Sequence, residues 1–198
     1  MVGDIEEVAE KLYQTAGFEL SAQAPPVLLA RRLMGDAAVR TVPDDVLQGS
    51  GALVRVGDEW RVYLRAGAAN EVKRFVLLHE LAHWALGPSA TEGACDALAA
   101  ALLVPRPAFL AAVGRHGRRL PILAHSFGTT ESCVGLRLGE TTKRATALVS
   151  PQKIRLRGAG YRWPSAAALR ELALADHVPG LRKAKLRDDP GSVLLSAG

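Results

Sequence analysis

The sequence predicts an α+β protein, mostly helical, with a small antiparallel sheet before one motif-bearing helix and a helix-turn-helix-like helical segment after it. Three observations lead there. Apolar residues recur at helical spacing on both sides of residues 37–65, whereas inside that stretch the period drops to the two residues of a strand. Pro25-Pro26, Gly35, Gly87-Pro88 and Pro105 then divide the helical parts into separate helices.

Residues 4–17 place Ile5, Val8, Ala9, Leu12, Tyr13 and Ala16 on one face, an amphipathic helix that ends near Gly17. A second helix follows Pro25-Pro26 and runs from Val27 to Met34, where Gly35 stops it. AAVRTVP at 37–43 is a short strand, and ALVRV and EWRVYLR are two more, joined by Gly57-Asp58, a pair suited to a tight hairpin turn. From Glu71 to Leu86 there is no Pro or Gly; Asn70 suits the N-cap, Glu71 the first turn, and Gly87-Pro88 the stop. This helix is apolar nearly all round, as a helix buried in a domain is. The next opens at Ser89-Ala90-Thr91-Glu92 and continues from Gly93 to Val104.

Beyond Pro105, Pro107 to Val113 form a short helix, and a basic turn, Arg115 to Arg119, leads into LPILAHSFGTTESCVGLRLGE. There Ala124, Gly128 and Val134 have the spacing of a helix-turn-helix. A DNA reader is one reading of this pair; internal packing is the favoured one, because apolar helix pairs more often form core. In the last 58 residues ATALVS and QKIRLRG read as strands and 165–175 as a helix. LRKAKLRDD at 181–189 reads as a charge-dense mobile segment before VLLSAG.

A chain of 198 residues suffices for one well-buried domain. With 48% hydrophobic and 23% charged residues it has the composition of a soluble globular protein, which excludes disorder, and no apolar run approaches the roughly 18 residues of a membrane span. Cys95 and Cys133 are far apart and fall in expected helices, which is no disulfide framework and fits a reducing compartment. The acidic N-terminus is unlike a signal peptide, so the expected location is the cytoplasm, without a membrane partner. Charge is uneven: residues 1–114 hold 10 basic and 14 acidic side chains, residues 115–198 hold 15 and 6. The basic half suggests nucleic acid or an acidic partner surface, with a solvated Arg-rich face as the plain alternative.

The chemistry is concentrated in His79-Glu80-Leu81-Ala82-His83, an H-E-x-x-H motif. Histidines at i and i+4 share one helix face, about 6 Å apart along the axis, so both imidazoles can converge on one metal ion. Zinc is the expected cofactor, because it takes neutral imidazole nitrogens and a catalytic zinc keeps three protein ligands and one water. Glu80, beside the first ligand, is the expected general base. Glu92 in the next helix is the candidate third ligand, although Ser89-x-x-Glu92 also reads as a capping box that would employ Glu92 only at the helix start. Asp96, one turn on, is placed to accept the free N–H of a ligating histidine. Cys95 reads either as an inhibitory extra ligand to the zinc or as a small buried hydrophobe.

This segment resembles the ImmA/IrrE family of zinc metallopeptidases, whose signature is R-R-F-x-x-A-H-E-x-G-H followed by E-x-x-A-N/D-x-F-A-A-x-L-L-M-P. Here Lys73 to His83 and Glu92 to Pro105 correspond, and the likeness extends from about Gly51 to Leu138. Leu98 stands at the usual Phe and Cys95 at the usual Ala. The resemblance implies a zincin-like core over residues 1–114, a helix-turn-helix-like segment over 115–142 packed on it, and a basic C-terminal region over 143–198. It also implies zinc ligation by His79, His83 and Glu92, catalysis by Glu80, and a gluzincin-type endopeptidase with an edge strand that binds extended substrate. The substrate it implies is a helix-turn-helix transcriptional repressor whose cleavage relieves repression on a stress signal, with DNA as a possible activator. The competing expectation is a non-catalytic regulatory protein that grips DNA or a repressor through its basic half and keeps a structural zinc.

Overall fold

The computed structural model describes residues 4–36, 38–141, 146–149, 154–157, 165–174, 181–186 and 193–197. Two compact units divide the chain: Met1–Arg115 with Phe127–Thr129, and His116–Ser126 with Thr130–Gly198.

In the first unit, Asp4 caps α1 (Ile5–Thr15) by accepting from the Glu6 N–H at 3.0 Å. Tyr13, fully buried on this helix, donates to the Leu102 carbonyl at 2.8 Å and accepts from the Ala24 N–H at 3.2 Å. Burial pushes its phenol up to about 12. Helix α2 (Pro26–Met34) starts on a proline, which lacks an N–H that the first turn could not use, and ends at Gly35.

Strands β1 (Val39–Val42), β2 (Gly51–Val56) and β3 (Glu59–Arg65) form a sheet in the order β1-β3-β2. The β2–β3 hairpin is antiparallel, as expected, but β1 pairs with β3 in parallel, so the sheet is mixed rather than wholly antiparallel. Topology explains the difference. The hairpin inserts β3 between β2 and β1, and β1 and β3, both opposed to β2, run the same way. Its inner face carries Leu53, Val62 and Leu64, which pack with Ala30, Val76 and Leu77. Gly51 lets β2 approach the helix behind it, because a Cβ there would collide with Val76.

That helix is α3 (Asn70–Leu86), whose N-cap is Ala69, without a side-chain cap; Asn70 is the first helical residue. Only Leu77, Leu78, Leu81 and Ala82 are fully buried, so the all-round burial expected of it is one-sided. Helix α4 (Glu92–Leu103) lies along α3 and is buried from Cys95 onward except at Ala97. Helix α5 (Arg106–His116) runs three residues past the expected end at Val113 and absorbs the start of the basic turn.

The second unit holds α6 (Leu120–Phe127, whose last residue belongs to the first unit), α7 (Glu131–Thr141), β4 (Thr146–Val149), β5 (Ile154–Arg157), α8 (Ala166–Leu174), β6 (Leu181–Lys185) and β7 (Val193–Ala197). The strands form an antiparallel sheet in the order β5-β4-β7-β6. On one face Ala147, Val149 and Leu195 pack with Leu169 and Ala173 of α8. Helix α7 lies against Leu194, close enough at Gly135 that a Cβ would stand 2.7 Å from Leu194 Cδ2. The helix pair of 115–142 therefore shares a unit with the C-terminal strands. Nine of the eleven α7 residues are buried, which leaves no exposed face of the kind a groove-reading helix presents.

Residues 181–185, expected in a mobile segment, are instead β6, paired with β7 from Leu181↔Ala197 to Lys185↔Val193. Charge density hid the strand, because a ladder is made by backbone groups and depends on a neighbour far along the chain. Residues 187–189 of that stretch, and the ends of the other expected C-terminal strands and helix, lie outside the described residues. Among the described residues, no single helix is long and apolar enough to cross a membrane.

Candidate active site

The 17 residues of α3 carry His79 and His83 one turn apart. Their rings meet edge to face with centroids 4.8 Å apart, and their Nε2 atoms are 3.1 Å apart. Glu92 closes the group: one carboxylate oxygen stands 3.2 Å from His79 Nε2 and the other 3.3 Å from His83 Nε2. Thr91, not Ser89, caps α4, accepting from the Ala94 N–H at 3.2 Å, and Glu92 is the first helical residue. The capping-box role for Glu92 is therefore not the one seen. Its carboxylate is free to face the histidines.

The far sides of both rings are also occupied. Asp96, buried one turn along α4, places Oδ1 at 3.1 Å from His79 Nδ1. That contact is the main reason the His79 pKa is raised; burial opposes it, and the charges of Asp96, Glu80 and Glu92 add to it. Cys95 places Sγ at 3.4 Å from His83 Nδ1. The thiol therefore lies at the His83 nitrogen remote from the His79–His83–Glu92 group. Burial, followed by the nearby charges of Glu92, Asp96 and Glu80, pushes this thiol up and keeps it protonated.

These contacts decide what the cluster can hold. Asp96 Oδ1 faces His79 Nδ1 and Cys95 Sγ faces His83 Nδ1, while both Nε2 atoms face each other and the Glu92 carboxylate. In the tautomer with the protons on Nδ1, three acceptors converge, an arrangement that a cation satisfies. Bonds of about 2.0–2.1 Å at tetrahedral angles put zinc ligands about 3.3 Å apart; the Nε2 atoms are 3.1 Å apart, each has its own Glu92 oxygen at 3.2 or 3.3 Å, and one ligand atom from each residue lies within 4.8 Å of the others. The residues fit a divalent metal. The Glu92 side chain is 72% exposed, so the cluster meets solvent on that side.

Glu80 and His83 line a cleft of about 410 Å³ together with Leu53, Trp60, Trp84, Gly87 and Pro88. Leu53 brings β2 to this cleft, and β2 has β3 as its single partner strand among the described residues. The Ser50 carbonyl accepts from the Arg65 N–H at 3.0 Å, so even positions of this strand bond to β3. By alternation, Gly51, Leu53 and Arg55 direct their backbone N–H and C=O groups to the open edge. The motif did not point to Trp60, Trp84, Leu53 or Pro88. One signal was available: aromatic residues are only 5% of the chain, yet two of its three tryptophans fall on the hairpin and the motif helix.

A peptidase family model described as the IrrE N-terminal-like domain matches residues 34–139, more than half of the chain, from β1 to all but the last two residues of α7 and including the whole cluster. The chain belongs to the ImmA/IrrE family. No curated protein matches it in sequence. Among solved structures, this ImmA/IrrE chain is similar to one described as a Mycobacterium tuberculosis transcriptional regulator, with a TM-score of 0.64 and 16% identity over 99% of this chain and 88% of that one. At that identity the likeness speaks for the fold alone.

Proposed function

We propose that the chain is a zinc-dependent endopeptidase of the cytoplasm, in which His79, His83 and Glu92 hold the metal, and that its substrate is a helix-turn-helix repressor whose cleavage relieves repression. The observation that carries this is the convergence of three possible metal-ligand groups, one of which, His83, also lines a cleft with an acid, Glu80. Zinc bound there would polarise a scissile carbonyl and acidify a water. Glu80 takes the proton of that water and delivers it to the leaving amine. Asp96 holds His79 with its Nε2 lone pair toward the metal. The open edge of β2 pairs with substrate drawn out as an extended chain, through the backbone groups of Leu53 and Arg55.

The gene-control setting follows from the membership of the ImmA/IrrE family and from the uneven charge of the chain. Nucleic acid acting on the basic C-terminal half is the proposed trigger, and activation by DNA then falls steeply with salt. The same basic half favours a second reading, a non-catalytic regulator with a structural metal. Glu80→Gln separates the two. As an enzyme, the variant keeps its metal and loses cleavage of a co-incubated repressor by about 10²–10⁴-fold. As a non-catalytic regulator, it behaves as the wild type in every assay.

A further inference from the structure

We infer that the cleft beside Glu80 is a specificity pocket for the large uncharged side chain, phenylalanine- or leucine-like, of a residue flanking the scissile bond; the inference rests on the peptidase reading above.

Its walls are apolar. Leu53, Trp60, Trp84 and Pro88 surround a space of about 410 Å³, at the small end of ligand pockets and suited to one side chain rather than a folded element. The charged or titratable groups that line it are Glu80 and His83, both at the metal end. A carboxylate entering would face Glu80 and be repelled. A lysine or arginine would pair with Glu80 and neutralise the base. An apolar side chain meets neither penalty and buries its surface against two indoles.

Strand geometry delivers such a side chain to this place. Leu53, Val62 and Leu64 share the inner face of the sheet, and Trp60, two residues before Val62, lies on that face too. A chain added at the open edge of β2 puts the residue opposite Leu53 on the same face as Leu53, because directly opposed residues of paired strands project to one side. Its two neighbours project to the other side. One residue of the substrate is thereby read by the cleft, while the backbone is held by β2. Trp60 is 37% exposed at the hairpin end, so its indole presents free surface to an incoming group.

The test has two arms on the full-length chain. In the first, the zinc-loaded protein, with and without double- and single-stranded DNA to supply the proposed trigger, digests a mixed peptide library and the products are sequenced by mass spectrometry. Phe, Tyr, Leu and Met should dominate one position beside the cleaved bond. Trp60→Ala should lower kcat/KM for a Phe-containing peptide relative to an Ala-containing one by about tenfold or more, and Trp60→Phe should restore most of it. In the second arm, a Glu80→Gln, Trp163→Phe variant leaves Trp60 and Trp84 as the only indoles. N-acetyl-phenylalaninamide should change their fluorescence saturably, and N-acetyl-glycinamide should not. Cleavage without side-chain preference, or a preference that Trp60→Ala leaves unchanged, overturns the pocket and leaves the peptidase standing. Saturable binding without any cleavage keeps the pocket and overturns the peptidase; absence of both overturns both.

Discussion

Helices α3 and α7 both turn charged or polar groups inward, and they resolve the cost of doing so in opposite ways. On α7, Arg137 is almost fully buried, yet its Nη1 stands 3.3 Å from a Glu140 carboxylate oxygen, and Thr141 donates to the Arg137 carbonyl at 2.8 Å. One nitrogen of that buried guanidinium thus finds its partner one turn along its own helix. On α3, the outer nitrogens of His79 and His83 meet Asp96 and Cys95, while the inner nitrogens crowd against each other and Glu92, where a metal ion would join all three. The difference teaches how to rank two motifs of equal sequence grammar. A spacing becomes a site when the groups it assembles lack a mutual solution, and becomes core when they have one.

Arg137→Met is the strongest way to break the comparison after the loss of Glu80. Removing one partner from a buried ion pair costs about 3–5 kcal/mol, so thermal unfolding should shift well down while metal content stays that of the wild type. An unchanged melting profile would mean that the α7 pair is not an internal solution.

Asp96→Asn weakens the metal site without dismantling it. Metal affinity should fall about 10–100-fold, as for other outer partners of ligating histidines, and chelator competition measures it. The same variant has a signature in pH. Protons compete with metal for His79, and Asp96 is the main reason its pKa lies above the usual imidazole range, so affinity in the wild type declines as pH falls through that raised value. In the Asn variant the decline should move to lower pH.

Cys95→Ala has the smallest expected effect. Its Sγ sits at His83 Nδ1, so the substitution should leave metal content intact and should not raise activity. A rise in activity would instead identify the thiol as an inhibitory ligand.

How legible all this was in the sequence follows the range of the interactions. His79, His83, Glu92 and Asp96 could be brought together on paper because two helices with clear stops at Gly87-Pro88 and Pro105 fix their faces by local rules. The β2–β3 hairpin was legible from Gly57-Asp58 for the same reason. The parallel pairing of β1 and the strand hidden in Leu181–Lys185 were not, because each depends on a partner distant in the chain. The cleft was out of reach too: Glu80 and Trp84 share a face of α3 at i, i+4, but Trp60 and Leu53 join them only once the hairpin is laid on that helix.

The central claim is that three converging acceptors form a metal site, and zinc content per chain tests it most directly. After metal-replete purification and desalting, the wild type should carry about one zinc. His83→Ala should lose it and Glu92→Ala should hold it far more weakly, with the helical circular dichroism of both variants retained. A wild-type chain without zinc, or undiminished zinc in both variants, would contradict the account.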